Sequence, residues 1–87
     1  MELEFDPDKS RQNKRKHGID FIEAEQLWSD PDRIEIPARS EDERRMALIA
    51  QYKGQVWTAF WTVRSERIRL ISVRRSRSAE KRLYYEG

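Results

Sequence analysis

Large apolar side chains are missing between Asp6 and Gly18 and crowd into the second half of the chain. Asp6-Pro7-Asp8 nevertheless reads as a helix start. Asp6 is the N-cap, Pro7 the first helical position, and Asp8 faces the positive end of the dipole. A helix over 7–17 follows, stopped by Gly18 as a left-handed cap. No apolar stripe can hold such a helix, so its ends, its aliphatic stems or polar contacts must anchor it. Asp20-Phe21-Ile22-Glu23 is a capping-box signature, and Phe21, Ala24, Leu27 and Trp28 share one face of a second helix over 21–29. Asp30-Pro31 ends it.

Glu2–Phe5 reads as a short first strand, and Arg33–Ile36 as an edge strand stopped by Pro37. The polar stretch 38–43 is a loop. Three longer strands follow at Arg45–Tyr52, Gln55–Val63 and Arg67–Val73, with turns at Lys53-Gly54 and Arg64-Ser65-Glu66. The middle one is apolar or neutral on both faces, which places it centrally with Trp57 and Trp61 in the core. In the last, alternation sends Ile68, Leu70 and Ser72 one way and Arg67, Arg69, Ile71 and Val73 the other. A short helix from Ser78 carries Ala79 and Leu83 on one side. The order β-α-α-β-β-β-β-α predicts an α+β fold: an antiparallel β-sheet meander with two N-terminal helices and a short C-terminal helix, the helices on one face.

At 87 residues the chain has room for one domain over 1–87, and 37% hydrophobic residues make a small core. The absence of cysteine excludes a disulfide framework, a zinc ribbon and a thiol nucleophile. A single histidine, His17, excludes a mechanism that needs two imidazoles. No apolar run approaches the ~18 residues of a membrane span. The start Met1-Glu2-Leu3-Glu4-Phe5 does not resemble a signal peptide, so a cytoplasmic protein is expected.

Charge changes the picture. The net of +2 hides two basic blocks separated by an acidic one. Residues 9–17 contain five cations and no acid, acids dominate 18–43, and arginines dominate 64–87. Joined in space, the basic blocks would suit a polyanion; kept apart, they are a solvated, salt-bridged surface. Lys9, Asn13, Lys16 and His17 share one side of the first helix. Cations in a last helical turn also serve simply to offset the dipole. Arg64, Arg67, Arg69, Arg74, Arg75 and Arg77 form the second group, whose guanidinium forks match phosphate oxygens. Alternating arginines are also compatible with a plain wet sheet face. Trp57, Trp61, Tyr84 and Tyr85 are candidate stacking surfaces, the tryptophans being better suited to the core. Glu41-Asp42-Glu43 lacks His or Cys companions and reads as a solvated loop, so neither a metal site nor a cofactor is expected.

The segment Phe5-Asp6-x-x-Lys9-x-x-x-Asn13-x-x-Lys16-His17-Gly18-x-x-Phe21-x-x-Ala24 resembles the opening of BrnT-type toxins. Asp30-Pro31, Arg64, Arg67-Ile68-Arg69-Leu70-Ile71-Ser72-x-Arg74 and Glu80-x-Arg82-x-Tyr84 follow in the same order and spacing. The resemblance implies a ribonuclease toxin of a type II toxin–antitoxin system with a RelE-like fold. It also implies a BrnA-type ribbon-helix-helix antitoxin that neutralises the toxin and carries the complex to operator DNA, in a homodimer or a toxin–antitoxin heterotetramer. Two positions depart from the pattern. Val63 stands where an acid is expected before Arg64, and Ser65-Glu66 replaces a glycine-rich turn.

Metal-free RNA cleavage by 2′-hydroxyl attack needs a base, positive charge for the phosphorane oxygens and an acid for the leaving oxygen. With one imidazole, the assignment is His17 as acid or base, with Lys16 and Arg64, Arg69 or Arg74 as electrostatic stabilisers. Glu80, Tyr84 and Glu86 remain open as the second proton-transfer group. Lys9, Asn13, Arg67, Arg69, Arg75 and Arg77 are the expected RNA contacts. The rival reading is a non-catalytic nucleic-acid-binding or regulatory module on the same patch, with steep salt dependence.

Overall fold

A computed structural model describes residues 3–39 and 44–87. Its elements are β1 (Leu3–Glu4), α1 (Pro7–His17), α2 (Phe21–Ala24) continued by a 3-10 segment (Glu25–Ser29), β2 (Ile34–Ala38), β3 (Arg45–Tyr52), β4 (Gln55–Arg64), β5 (Arg67–Arg75) and α3 (Ser78–Glu86). The caps form as their chemistry dictates. The Asp8 N–H donates to Asp6 Oδ1 at 2.8 Å, Gly18 closes α1 at φ 81°, and Asp20 and Glu23 complete the capping box. The expected helix over 21–29 tightens to 3-10 geometry after Ala24, still burying Leu27.

The sheet corrects the expected meander. Five strands run in the order β1-β5-β4-β3-β2. The β2 to β5 run is antiparallel, but β1 lies parallel to β5, pairing Leu3 with Ile68 and Glu4 with Arg69. The sheet is therefore mixed. β5 has a free edge, and the N-terminal residues cover part of it before α1 carries the chain away. The edge strand β2 runs through Pro37 to Ala38, because a missing N–H is harmless on an outer edge.

The helices do not share one face. Ile19, Phe21, Ala24 and Leu27 pack on Leu48, Ala50, Trp57, Ala59, Trp61, Leu70 and Val73 to form the main core. On the other face Ile49 and Val56 meet Tyr84 of α3, flanked by Ile34 and Ile36. β3 and β4 are apolar on both sides, so each face accepts a helix.

In β5 the expected alternation breaks. Phe60 pairs with Ser72 but Trp61 with Leu70, leaving Ile71 as the extra residue of a β-bulge. Beyond it Val73 joins Leu70 in the core, while Ser72 and Arg74 turn to the face that carries Arg67 and Arg69.

The β4–β5 turn has Ser65 at φ 49° and Glu66 at φ 66°, a left-handed pair without glycine. Replacing this pair by Asn-Gly is expected to raise stability by about 1 kcal/mol. A higher urea midpoint with an unchanged m-value would show it; a lower midpoint would contradict the strain.

Candidate active site

α1 reaches its place by polar contacts alone, as the absence of an apolar stripe required. Ser10 Oγ accepts the Phe21 N–H at 2.9 Å. The Asn13 amide works like a strand neighbour on the β5 edge. Its Oδ1 accepts the Val73 N–H at 3.1 Å, and its Nδ2 donates to the carbonyls of Val73 at 2.9 Å and Ile19 at 2.8 Å. Asn13, grouped by spacing with the helix cations, is therefore buried, and its amide is committed to backbone. Lys9, Gln12, Lys16 and His17 remain on the outer side and, with Asn13, Ile71 and Ser72, line a groove of about 200 Å³ along the β5 edge.

On the sheet face opposite the main core, strand alternation places Arg64 on β4 with Arg67, Arg69 and Arg74 on β5. Ser72 lies on this face between Arg69 and Arg74 and also lines the helix groove, so the two basic groups meet there. Arg69 Nη1 lies 3.3 Å from Glu4 Oε1. The Arg74 guanidinium sits over the Phe60 ring, 5.1 Å from its centroid. Glu80 Oε1 and Oε2 accept from Arg74 Nη1 and Nη2 at 2.7 and 2.8 Å, a bidentate fork.

Glu80 differs from what a proton donor needs. Arg74, with help from the Arg77 N–H and Thr58 against the opposing effect of burial, holds its carboxyl down to about 2 from an ordinary 4.5. It stays ionised at any neutral pH. A lowered folded value means that the stabilisation is complete above about 4.5 and fades as pH falls through about 2. Glu80→Gln is therefore expected to cost about 2–3 kcal/mol at pH 6, and this cost should shrink towards pH 2. Denaturant midpoints of both proteins across that range test it; parallel curves would refute the coupling.

Tyr84 lies apart, beneath α3 in the smaller core on Ile49 of β3 and Val56 of β4. Its hydroxyl donates to Asp30 Oδ2 at 2.6 Å. Burial and that bond push the phenol above its usual range. Burial also opposes ionisation of Asp30, but hydrogen bonds from Tyr84 and from the Gln51 and Asp32 N–H groups outweigh it and lower its value. This is a tie between α3 and the chain after the 3-10 segment. Arg75 points to the main-core face, 5.9 Å over Trp57, and Arg77 occupies the N-cap of α3. Trp57 and Trp61 are buried, so the ring presented on the arginine face is Phe60. Its even-numbered position on β4, out of phase with the tryptophans, was the signal for it.

Val63 pairs with Ile68 on the opposite face from Arg64. An acid at 63 would not stand among these arginines, so the departure leaves the face intact. Among the described residues no three His, Asp or Glu side chains converge as metal ligands. The Glu41-Asp42-Glu43 run lies outside the described residues. Among the described residues, no helix is long and apolar enough to cross a membrane.

A search of curated proteins returned no match. The family model of the ribonuclease toxin BrnT of type II toxin–antitoxin systems matches residues 5–80, a span that takes in the helix groove, the arginine face and Glu80. The chain therefore belongs to the BrnT family of type II ribonuclease toxins, proteins that act on RNA and are paired with an antitoxin.

Proposed function

We propose that this toxin is a metal-independent endoribonuclease that cuts RNA where the α1 groove meets the arginine face, and so inhibits translation in the cytoplasm. The supporting observation is the bulge at Ile71, which brings Arg74 onto the face of Arg64, Arg67 and Arg69 and sets Ser72 at the mouth of the groove lined by Lys9, Lys16 and His17. In the proposed step the 2′-oxygen bonds to phosphorus, the P–O5′ bond breaks, and a 2′,3′-cyclic phosphate and a 5′-hydroxyl result. His17 takes the proton of the 2′-hydroxyl or supplies the one gained by the leaving 5′-oxygen, and water exchanges the other. Lys16, Arg64 and Arg74 face the charge that grows on the phosphorane oxygens. Glu80 orients Arg74 and is not the second proton-transfer group. Lys9, Arg67 and Arg69 hold flanking phosphates. The partner is a BrnA-type ribbon-helix-helix antitoxin, and operator DNA is met only through that complex, with the toxin as a homodimer or in a toxin–antitoxin heterotetramer. The fold is RelE-like in this reading.

Incubation with RNA in EDTA tests the reading. Cleavage with cyclic-phosphate ends is expected, with a rate loss of about 100-fold in each of His17→Ala and Arg74→Ala and a smaller loss in Arg64→Ala. RNA that is shifted but intact would instead support the non-catalytic binder. Full activity in all three variants would remove this site.

A further inference from the structure

We infer that Thr58 and Ser76 are positioning residues which, through Glu80, fix the aim of the Arg74 guanidinium. The inference rests on the reading of Arg74 as an active-site cation. Thr58 is fully buried on the central strand and Ser76 is buried just beyond β5. Their hydroxyl oxygens lie 2.8 Å apart, and Thr58 Oγ1 lies 3.0 Å from Glu80 Oε1. Each hydroxyl has one proton, and an ionised carboxylate only accepts. Thr58 therefore donates to Glu80, and Ser76 donates to Thr58. The direction of the whole relay is fixed.

Glu80 is thereby held on both sides. Its Oε1 accepts from Thr58, from the Arg77 N–H at 2.7 Å and from Arg74, while Oε2 takes the second arm of the Arg74 fork. Ser76 is itself tied to β4, its N–H donating to the Val56 carbonyl at 3.0 Å. Arg74 Nη1 also donates to the Arg75 carbonyl at 3.1 Å. Three of the five guanidinium N–H groups are thus engaged, and two are left for a ligand oxygen. Phe60 beneath the guanidinium plane limits tilt. With its charge balanced by Glu80, Arg74 acts mainly through the direction of its remaining donors, so a small misplacement is costly. Packing alone would be served as well by valine and alanine at 58 and 76, because an apolar pair of the same shape leaves nothing unpaired. The buried hydroxyls contribute geometry.

The test uses an RNA oligonucleotide that the unaltered toxin cleaves, under single-turnover conditions and at a temperature where melting curves show every variant folded. Thr58→Val is expected to slow cleavage about tenfold while RNA affinity stays within about twofold, and Thr58→Ser to restore the rate. Ser76→Ala carries the same expectation should Thr58→Val not fold. Wild-type rates in Thr58→Val and Ser76→Ala, with cleavage lost in Arg74→Ala, would overturn the relay and leave the site standing. Wild-type cleavage by Arg74→Ala would remove the site reading itself, and the relay with it. Failure of Thr58→Ser to rescue a slow Thr58→Val would also overturn the inference, since it would reduce Thr58 to packing.

Discussion

Asn13→Ala is expected to destabilise the protein by about 4 kcal/mol and to lower Tm by about 20 °C. The side chain makes three buried hydrogen bonds to backbone, to the Val73 N–H and to the Val73 and Ile19 carbonyls. Alanine removes one amide and strands three backbone groups. Each unsatisfied buried group costs about 1–3 kcal/mol, whereas making the bond gains less. α1 has no apolar stripe to fall back on: only Ser10 and Asn13 are buried along its length. Asn13→Asp should also be harmful, since a carboxylate can take the Val73 N–H but cannot donate to either carbonyl. Thermal melts and urea midpoints measure both. A loss under about 1 kcal/mol in Asn13→Ala would mean that water or a rearranged neighbour replaces the amide. With a total of only about 5–15 kcal/mol available to a small domain, the expected loss threatens folding at growth temperature.

Local signals were legible in the sequence, and pairings without a local signal were not. Asp6-Pro7-Asp8, Gly18 and the Asp20–Glu23 box act within a few residues, so α1 and α2 begin as read. β3 was legible to the residue, and Lys53-Gly54 forms its turn with both residues at positive φ. Among the described residues β1 spans two, too few to carry a period, so its parallel pairing with β5 could not be read. The face chosen by α3 depended on Val56 and Ile49 being apolar in a strand pair that is apolar on both sides. The arginine segment misled for a specific reason. Arg67-Ile68-Arg69-Leu70-Ile71-Ser72-Val73-Arg74 fits a regular strand if Ser72 takes a core position, and serine is small enough to allow it. The adjacent apolar pair Leu70-Ile71 was the clue to an extra residue. Spacing also placed Asn13 among the RNA contacts, because helical periodicity groups residues by side and does not say which strand edge that side meets. Glu80 and Arg74 were both singled out, but a residue-by-residue reading could not show that the two side chains are paired.

Deleting Ile71 is expected to leave a cooperatively folding protein with its arginine face intact, at a cost of about 1–2 kcal/mol. The bulge is a matter of residue count. Trp61 already pairs with Leu70 and Phe60 with Ser72, so without Ile71 the two pairs become consecutive and the ladder closes. Ile68, Leu70 and Val73 then alternate regularly with Arg67, Arg69, Ser72 and Arg74, each on the face it holds in the full chain. The Val73 backbone keeps its bonds to Asn13, and Glu80 and Glu4 keep their arginines. What is lost is a half-buried side chain and the local bend that a bulge gives its strand. Ile71→Ala separates the two, because it keeps the bulge and trims the same side chain, so both variants should melt close together. Circular dichroism melts of the two variants decide it. A deletion variant without a cooperative transition, beside a folded Ile71→Ala, would show that β5 needs the bend of the bulge and not only the pairing on either side of it.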